Sequence, residues 1–137
     1  MPRDTGRAMS PENVEVVKRI FRGWDEEGVE GMLPFFHEDI EYRPVEEGGA
    51  VHGHDALRRY FVRWMEPWEE FHVGPTEFQH TEDSVFNGIE MKGRGRGSGV
   101  ETTQESWQVW RFREGRAYRW EEYLDRTEAL EAVGLRE

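Results

Sequence analysis

Residues 101–125, ETTQESWQVWRFREGRAYRWEEYLD, decide how the chain folds. Two runs of aromatic, β-branched and charged residues flank Glu114-Gly115, a dipeptide suited to a tight turn, so the stretch predicts a long β-hairpin. With a two-residue turn, Arg113 faces Arg116, and the pairs continue as Phe112/Ala117, Arg111/Tyr118, Trp110/Arg119, Val109/Trp120 and Gln108/Glu121. Alternation then puts Ser106, Gln108, Trp110 and Phe112 on one face with Ala117, Arg119, Glu121 and Tyr123. The other face carries Glu105, Trp107, Val109, Tyr118, Trp120 and Leu124. Both faces hold rings, so periodicity alone does not say which is inward.

The 137 residues suit one domain with one core. The formal charge of -11, from 18 basic and 29 acidic residues, repels nucleic-acid phosphates and anionic lipid, which argues against both as partners. Without cysteine there is no disulfide, thiol nucleophile or sulfur metal ligand. The opening MPRDTGRAMS has no apolar signal core, and no run approaches the roughly 20 apolar residues of a membrane span, so a soluble cytoplasmic protein is expected. Six Trp, eight Phe and four Tyr predict an aromatic core or cavity.

Residues 1–9 read as a disordered tail, followed by one domain over 10–137. Ser10-Pro11 offers an N-cap and a first-turn proline, and Val14, Val17, Phe21 and Trp24 continue at helical spacing to Gly28. A shorter helix is expected over Val29–Phe36, limited by Pro34. Ile40–Arg43 is a short strand, and Glu46–Gly53 a polar loop. Asp55 caps a third helix whose Leu57, Tyr60, Phe61, Trp64, Met65 and Trp68 form an apolar face. From Phe71 the period becomes two, giving about four antiparallel strands with turns near Thr81–Asp83 and Gly97–Gly99. Asp125 caps a last short helix stopped by Gly134. The order predicts an α+β domain with helices laid on one face of a strongly bent sheet.

This order resembles the nuclear transport factor 2-like superfamily, and within it the SnoaL-like polyketide cyclase group. The resemblance is carried by Trp24-Asp25-Glu26-Glu27-Gly28, by HGHDALRRYF at the third helix, by GRGRGSG, and by VWRFREGRAYRWEEYLDRTEALEAVGL, and it covers residues 10 to 135. It implies a cone-shaped domain: a strongly curved antiparallel sheet packed by three N-terminal helices and a short C-terminal helix around a hydrophobic pocket, often as a homodimer. It also implies which hairpin face is inward. Gln108 aligns with a pocket acid of ketosteroid isomerases and with a pocket histidine of the cyclases, whose catalytic aspartate falls near Glu121. Gln108, Trp110, Glu121 and Tyr123 are therefore expected inside, with Trp107 and Trp120 outside as an apolar patch for a second copy. The isomerase tyrosine is replaced by Phe21 or Ile20 and its base by Arg43, which argues against that isomerisation.

Within this frame Glu121 is the expected acid or base, since a carboxylate dehydrated among rings gains proton affinity. Its plainer reading is a carboxylate that points to solvent or pairs with Arg119 or Arg111. Gln108 either donates its amide to a substrate carbonyl or satisfies a buried backbone group. Arg43 meets an anionic substrate group, pairs with Glu121, or is a solvated charge. Trp24, Phe36, Tyr42, Trp64, Trp68, Trp110 and Tyr123 are the expected wall against a small hydrophobic ligand. His52-Gly53-His54 lacks the convergent ligands a metal needs, so neither metal nor other cofactor is expected. Residues 92–99, KGRGRGSG, match no phosphate-binding loop and read as a hairpin end. The expected function is a cofactor-free cyclase, isomerase or hydratase. The alternative is a non-catalytic ligand-binding or dimerisation module of the same fold.

Overall fold

The structure, a computed structural model, describes residues 5–45 and 49–135. In chain order the elements are α1 (Thr5–Glu27), α2 (Val29–Met32), a 3-10 turn (Leu33–Phe35), β1 (Phe36–Arg43), β2 (Val51–His52), α3 (Gly53–Met65), β3 (Trp68–His80), β4 (Ser84–Gly95), β5 (Glu101–Arg113), β6 (Arg116–Tyr123) and α4 (Arg126–Ala132). The six strands form one curved, unclosed sheet in the order β2-β1-β6-β5-β4-β3. This is the expected α+β architecture, with β1 running parallel to β6 and every other pair antiparallel.

Several boundaries differ from the sequence expectation. Residues 5–9, expected as a tail, belong to α1, because Pro11 removes one backbone donor without ending the helix; residues 1–4 lie outside the described residues. The expected Val29–Phe36 helix gives way at Leu33 to the 3-10 turn containing Pro34, and Phe36 opens a strand. The α3 helix starts at Gly53 without a side-chain cap, and Asp55 instead pairs with Arg58 at 2.6 Å. Trp68 leaves the helix to begin β3, with its ring over Gly93, where a Cβ would lie 2.5 Å from the indole. The α1 and α2 backbones cross at Gly23 and Gly31, where an added Cβ would come within 2.1 Å of a carbonyl oxygen.

The most consequential difference lies in the hairpin. Its turn is the expected Glu114-Gly115, with both residues at positive φ (55° and 82°) and Arg113 facing Arg116. Phe112 pairs with Ala117, but Arg111 pairs with Arg119, so Tyr118 is an extra, bulged residue. Beyond it the register is Trp110/Trp120, Val109/Glu121 and Gln108/Glu122. The bulge turns every later β6 side chain to the opposite face: Trp120 points inward, while Glu121 and Tyr123 share the outer face with Val109 and Trp107. The guanidinium of Arg113 lies 4.1 Å from the Tyr118 ring centroid and braces the bulge.

The inner sheet face, α1, α2 and α3 enclose the larger core, which includes Val17, Ile20, Leu57, Phe61, Trp110 and Trp120. The outer face is not bare. The α4 helix lies there, packing Ala129 and Leu130 on Phe86 and Val109, with Trp107 beside them. Its start is capped as expected, Asp125 accepting from the Thr127 amide at 2.8 Å. Arg126 clamps Glu77 of β3 through two bonds of 2.9 and 3.0 Å, and Arg111 donates to the Ala132 carbonyl at 2.9 Å. The outward pair of tryptophans that suggested a homodimer therefore does not exist: Trp120 is core, and Trp107 is half-buried beside α4.

Two predictions follow from the turn and the clamp. A side chain larger than glycine is strained at positive φ, and asparagine tolerates it best, so Glu114→Asn should stabilise the fold by about 0.5–1 kcal/mol in urea unfolding; no gain would mean the turn is not of this type. Glu77 is held below the usual carboxylate range, first by the Arg126 hydrogen bond. A carboxylate with a depressed folded pKa stabilises above its unfolded value, near 4.5, and loses that contribution as pH falls through the folded value. The pair is partly exposed, so Arg126→Ala should cost no more than about 1 kcal/mol at pH 7. That difference should vanish in acid; a difference independent of pH would assign it to packing alone.

Candidate active site: a ring-lined hollow with one carboxylate

Between the inner sheet face and the helices lies a hollow with about 750 Å³ of space free of atoms, counting its open mouth. Trp24 from α1, Tyr42 from β1, and Tyr60, Phe61 and Trp64 from α3 line it, together with Trp110 and Trp120 of the hairpin. The rings are ordered by strand register. Because β6 lies between β1 and β5, Trp120 has Tyr42 on one side and Trp110 on the other. The stack has centroid distances of 3.9 Å to Tyr42 and 4.6 Å to Trp110, with planes within 27° and 10°. Trp120 Nε1 is buried in this stack without a hydrogen-bond partner among the described residues.

One edge of the hollow is polar, and a directed chain of hydrogen bonds organises it. The Trp110 indole N–H donates to Asn87 Oδ1 at 2.6 Å. Asn87 Nδ2 donates to Gln108 Oε1 at 3.1 Å and to the Gly88 carbonyl at 3.1 Å. Gln108 Nε2 donates to Glu122 Oε2 at 3.1 Å. An indole can only donate, so the first bond fixes the Asn87 amide, which fixes the Gln108 amide, and the chain can end only on an acceptor. That acceptor is the Glu122 carboxylate. The Tyr42 phenol also hydrogen-bonds to Glu122 and to Tyr60, and its pKa lies well above the ordinary 10.0, first because it is buried and then because Glu122 is negative. Tyr42 is thus a neutral donor.

The expected site residues divide between two faces of the sheet. Gln108, Trp24, Tyr42, Trp64 and Trp110 line the hollow. Phe36 is solid core, packed on Trp110 and Trp120 at 6.2 and 5.9 Å, and Trp68 packs on Trp64 and Phe71 outside the lining. Glu121, Tyr123 and Arg43 lie in an open cleft at the rim, which adjoins the hollow through Pro44, Val45 and Glu122. Glu121 is bracketed there by Arg119 at 3.3 Å and Arg111 at 3.6 Å, and it accepts from the Tyr123 hydroxyl at 3.2 Å. This is the ion-paired reading of Glu121, brought about by the bulge. Tyr123 has its pKa raised, first by burial and then by that carboxylate. Arg43 pairs with Glu41, whose carboxyl is lowered: burial opposes the shift, but Arg43 and Arg119 outweigh it.

Sequence reasoning missed Glu122, Asn87 and Ser106. The signal for Glu122 was the doublet Glu121-Glu122, which supplies a carboxylate to either face whatever the register. Among the described residues no three His, Asp or Glu side chains cluster as a metal site would need. His54 sits in α3 with Nε2 at 3.2 Å from the His37 carbonyl, so it is not a loop residue. Arg96 of the glycine-rich hairpin end bonds to the carbonyls of Glu66 and Trp68 at 3.2 and 2.8 Å, which ties that turn to the corner between α3 and β3. No described helix is long and apolar enough to cross a membrane.

Removing the first donor tests the chain of amides. Trp110→Phe keeps a ring but leaves Asn87 Oδ1 buried and unpaired, which should cost about 1–3 kcal/mol in denaturant unfolding. A loss below about 0.5 kcal/mol would show that the chain can reorient.

The comparisons with known proteins agree with this fold. Solved structures with the same fold include an NTF2-like protein of unknown function from Burkholderia pseudomallei (TM-score 0.76, 21% identity, 90% of this chain and 98% of that one). A putative SnoaL-like polyketide cyclase from Jannaschia sp. CCS1 has a TM-score of 0.76 at 16% identity, over 91% of this chain and 93% of that one. TerC, crystallised with polyporic acid, has a TM-score of 0.75 at 23% identity, over 89% and 97% of the two chains. At these identities the likeness is one of fold. No curated protein matches the sequence. The SnoaL-like domain model matches residues 17–120, from α1 through the Trp120 stack, and the chain belongs to the SnoaL-like domain family.

Proposed function

We propose that this chain is a small-molecule enzyme of the cyclase, isomerase or hydratase kind, in which Glu122 moves a proton on a hydrophobic, carbonyl-bearing substrate held among the rings. The observation that carries this reading is the convergence of Gln108 and Tyr42 on a single carboxylate at the edge of an otherwise aromatic hollow. Two donors hold the carboxylate in place, half-buried at the edge of the hollow where it adjoins the rim cleft; a carboxylate positioned beside a bound carbon acid can accept its proton. Gln108 gives one amide hydrogen to Glu122 and has a second with which to polarise a substrate oxygen. The ring wall supplies apolar contact and excludes water. The TerC structure with polyporic acid supports a small organic ligand in this fold.

The test needs no knowledge of the natural substrate. In deuterated buffer, proton NMR of 2-tetralone, a bicyclic ketone with acidic α-hydrogens, reads proton abstraction directly. The wild type should accelerate exchange over buffer by about a hundredfold or more. Glu122→Gln should abolish the acceleration, and Glu121→Gln should retain it. Equal rates for the wild type and Glu122→Gln would remove Glu122 from the chemistry.

A further inference from the structure

The hollow holds a second polar group that the mechanism above does not use. Ser106 of β5 is 3% exposed, lines the hollow, and has no side-chain hydrogen-bond partner among the described residues. Unlike the unpartnered Nε1 of Trp120, its hydroxyl is not wholly sealed from solvent-accessible space. It therefore opens on the free space of the hollow, because a buried hydroxyl is ordinarily paired with protein or water. Gln104, two residues further along the same face of β5, also lines the hollow and likewise has no side-chain partner among the described residues.

The strand register explains why both are open. Across β4 their partners are Ile89 and Met91, which offer no hydrogen bond, whereas Gln108 faces Asn87. On the other side, β6 ends at Tyr123 opposite Trp107, so no β6 side chain reaches over Ser106 or Gln104. The inner face of β5 thus carries three polar side chains in a row, Gln104, Ser106 and Gln108, of which only Gln108 is bonded within the protein. Two residues of strand separate Ser106 from Gln108, the partner of Glu122, by about 7 Å along β5.

We propose that Ser106, with Gln104 behind it, is a second polar anchor, and that the hollow takes a flat ring compound bearing oxygens at both ends: one at Glu122, the other at Ser106. The proposal rests on the reading of Glu122 given above and adds a specificity residue to it. A hydroxyl both donates and accepts, so the distal oxygen can belong to a hydroxyl or a carbonyl. Ser106 touches the far end of the ligand and takes no part in proton transfer.

Two probes separate the anchors: 2-naphthol, with one hydroxyl, and 2,6-dihydroxynaphthalene, with hydroxyls at opposite ends of the same rings. Binding is read by titration calorimetry at constant pH, with circular dichroism confirming the fold of each variant. The wild type should bind the diol about tenfold tighter than 2-naphthol, the worth of one added hydrogen bond in a buried site. Ser106→Ala should bring the two affinities together while leaving 2-naphthol unchanged, and Gln104→Leu should narrow the gap in part. Glu122→Gln should weaken both probes and keep their ratio. A diol preference that survives Ser106→Ala, or no preference in the wild type, overturns the second anchor and leaves Glu122 untouched. If Glu122→Gln alters neither probe while Ser106→Ala still abolishes the preference, the carboxylate reading fails and the anchor stands. Absence of binding by both probes to the wild type overturns both.

Discussion

Tyr118 has no partner across the hairpin, and this single unpaired residue sets the phase of the rest of β6. Because side chains alternate along a strand, one extra residue exchanges its two faces completely. With the bulge, Trp120 stands between Tyr42 and Trp110, and Glu122 reaches Gln108. Without it, Glu121 and Arg119 would enter the core and two tryptophans would face away from each other. The outer face accepts the same shift. Arg111 and Arg119 lie directly opposite each other, a repulsive arrangement that Glu121 relieves by pairing with both.

The ring stack and the amide chain depend on each other through Trp110. Its face packs on Trp120, while its N–H starts the sequence of donors that ends on Glu122. Aromatic packing therefore aims the carboxylate: the stack fixes the indole, the indole fixes two amides, and the second amide holds the acid. Each amide in the chain is buried and has a partner, so rotating any one of them would leave unpaired groups in an apolar setting. Such an arrangement keeps its geometry before a ligand arrives, as proton transfer in a confined site requires.

The kind and order of most elements were legible in the sequence. Val17 and Ile20 mark the buried side of α1, Asp125 caps α4, and the Glu114-Gly115 turn lies where composition puts it. The residues of the site were legible only in part. Trp24, Tyr42, Trp64, Gln108 and Trp110 come to the hollow, while Glu121, Tyr123 and Arg43 lie outside it because a bulge leaves no periodic trace when both faces of the hairpin carry rings. The available clue was energetic. A slip of one residue pairs Trp110 with Trp120 in place of Arg119, and cross-strand pairing favours ring against ring. Ser106 and Asn87 were illegible for another reason: short polar residues in strands mark no function until their neighbours are known.

The most direct test of the register is the nuclear Overhauser pattern of the Gln108 side-chain amide protons in isotope-labelled protein. The bulged hairpin predicts contacts to the Glu122 side chain, with the Trp110 indole proton close to Asn87. Contacts from Gln108 to the side chain of Glu121 in place of Glu122 would contradict the bulge, and with it the placement of the carboxylate.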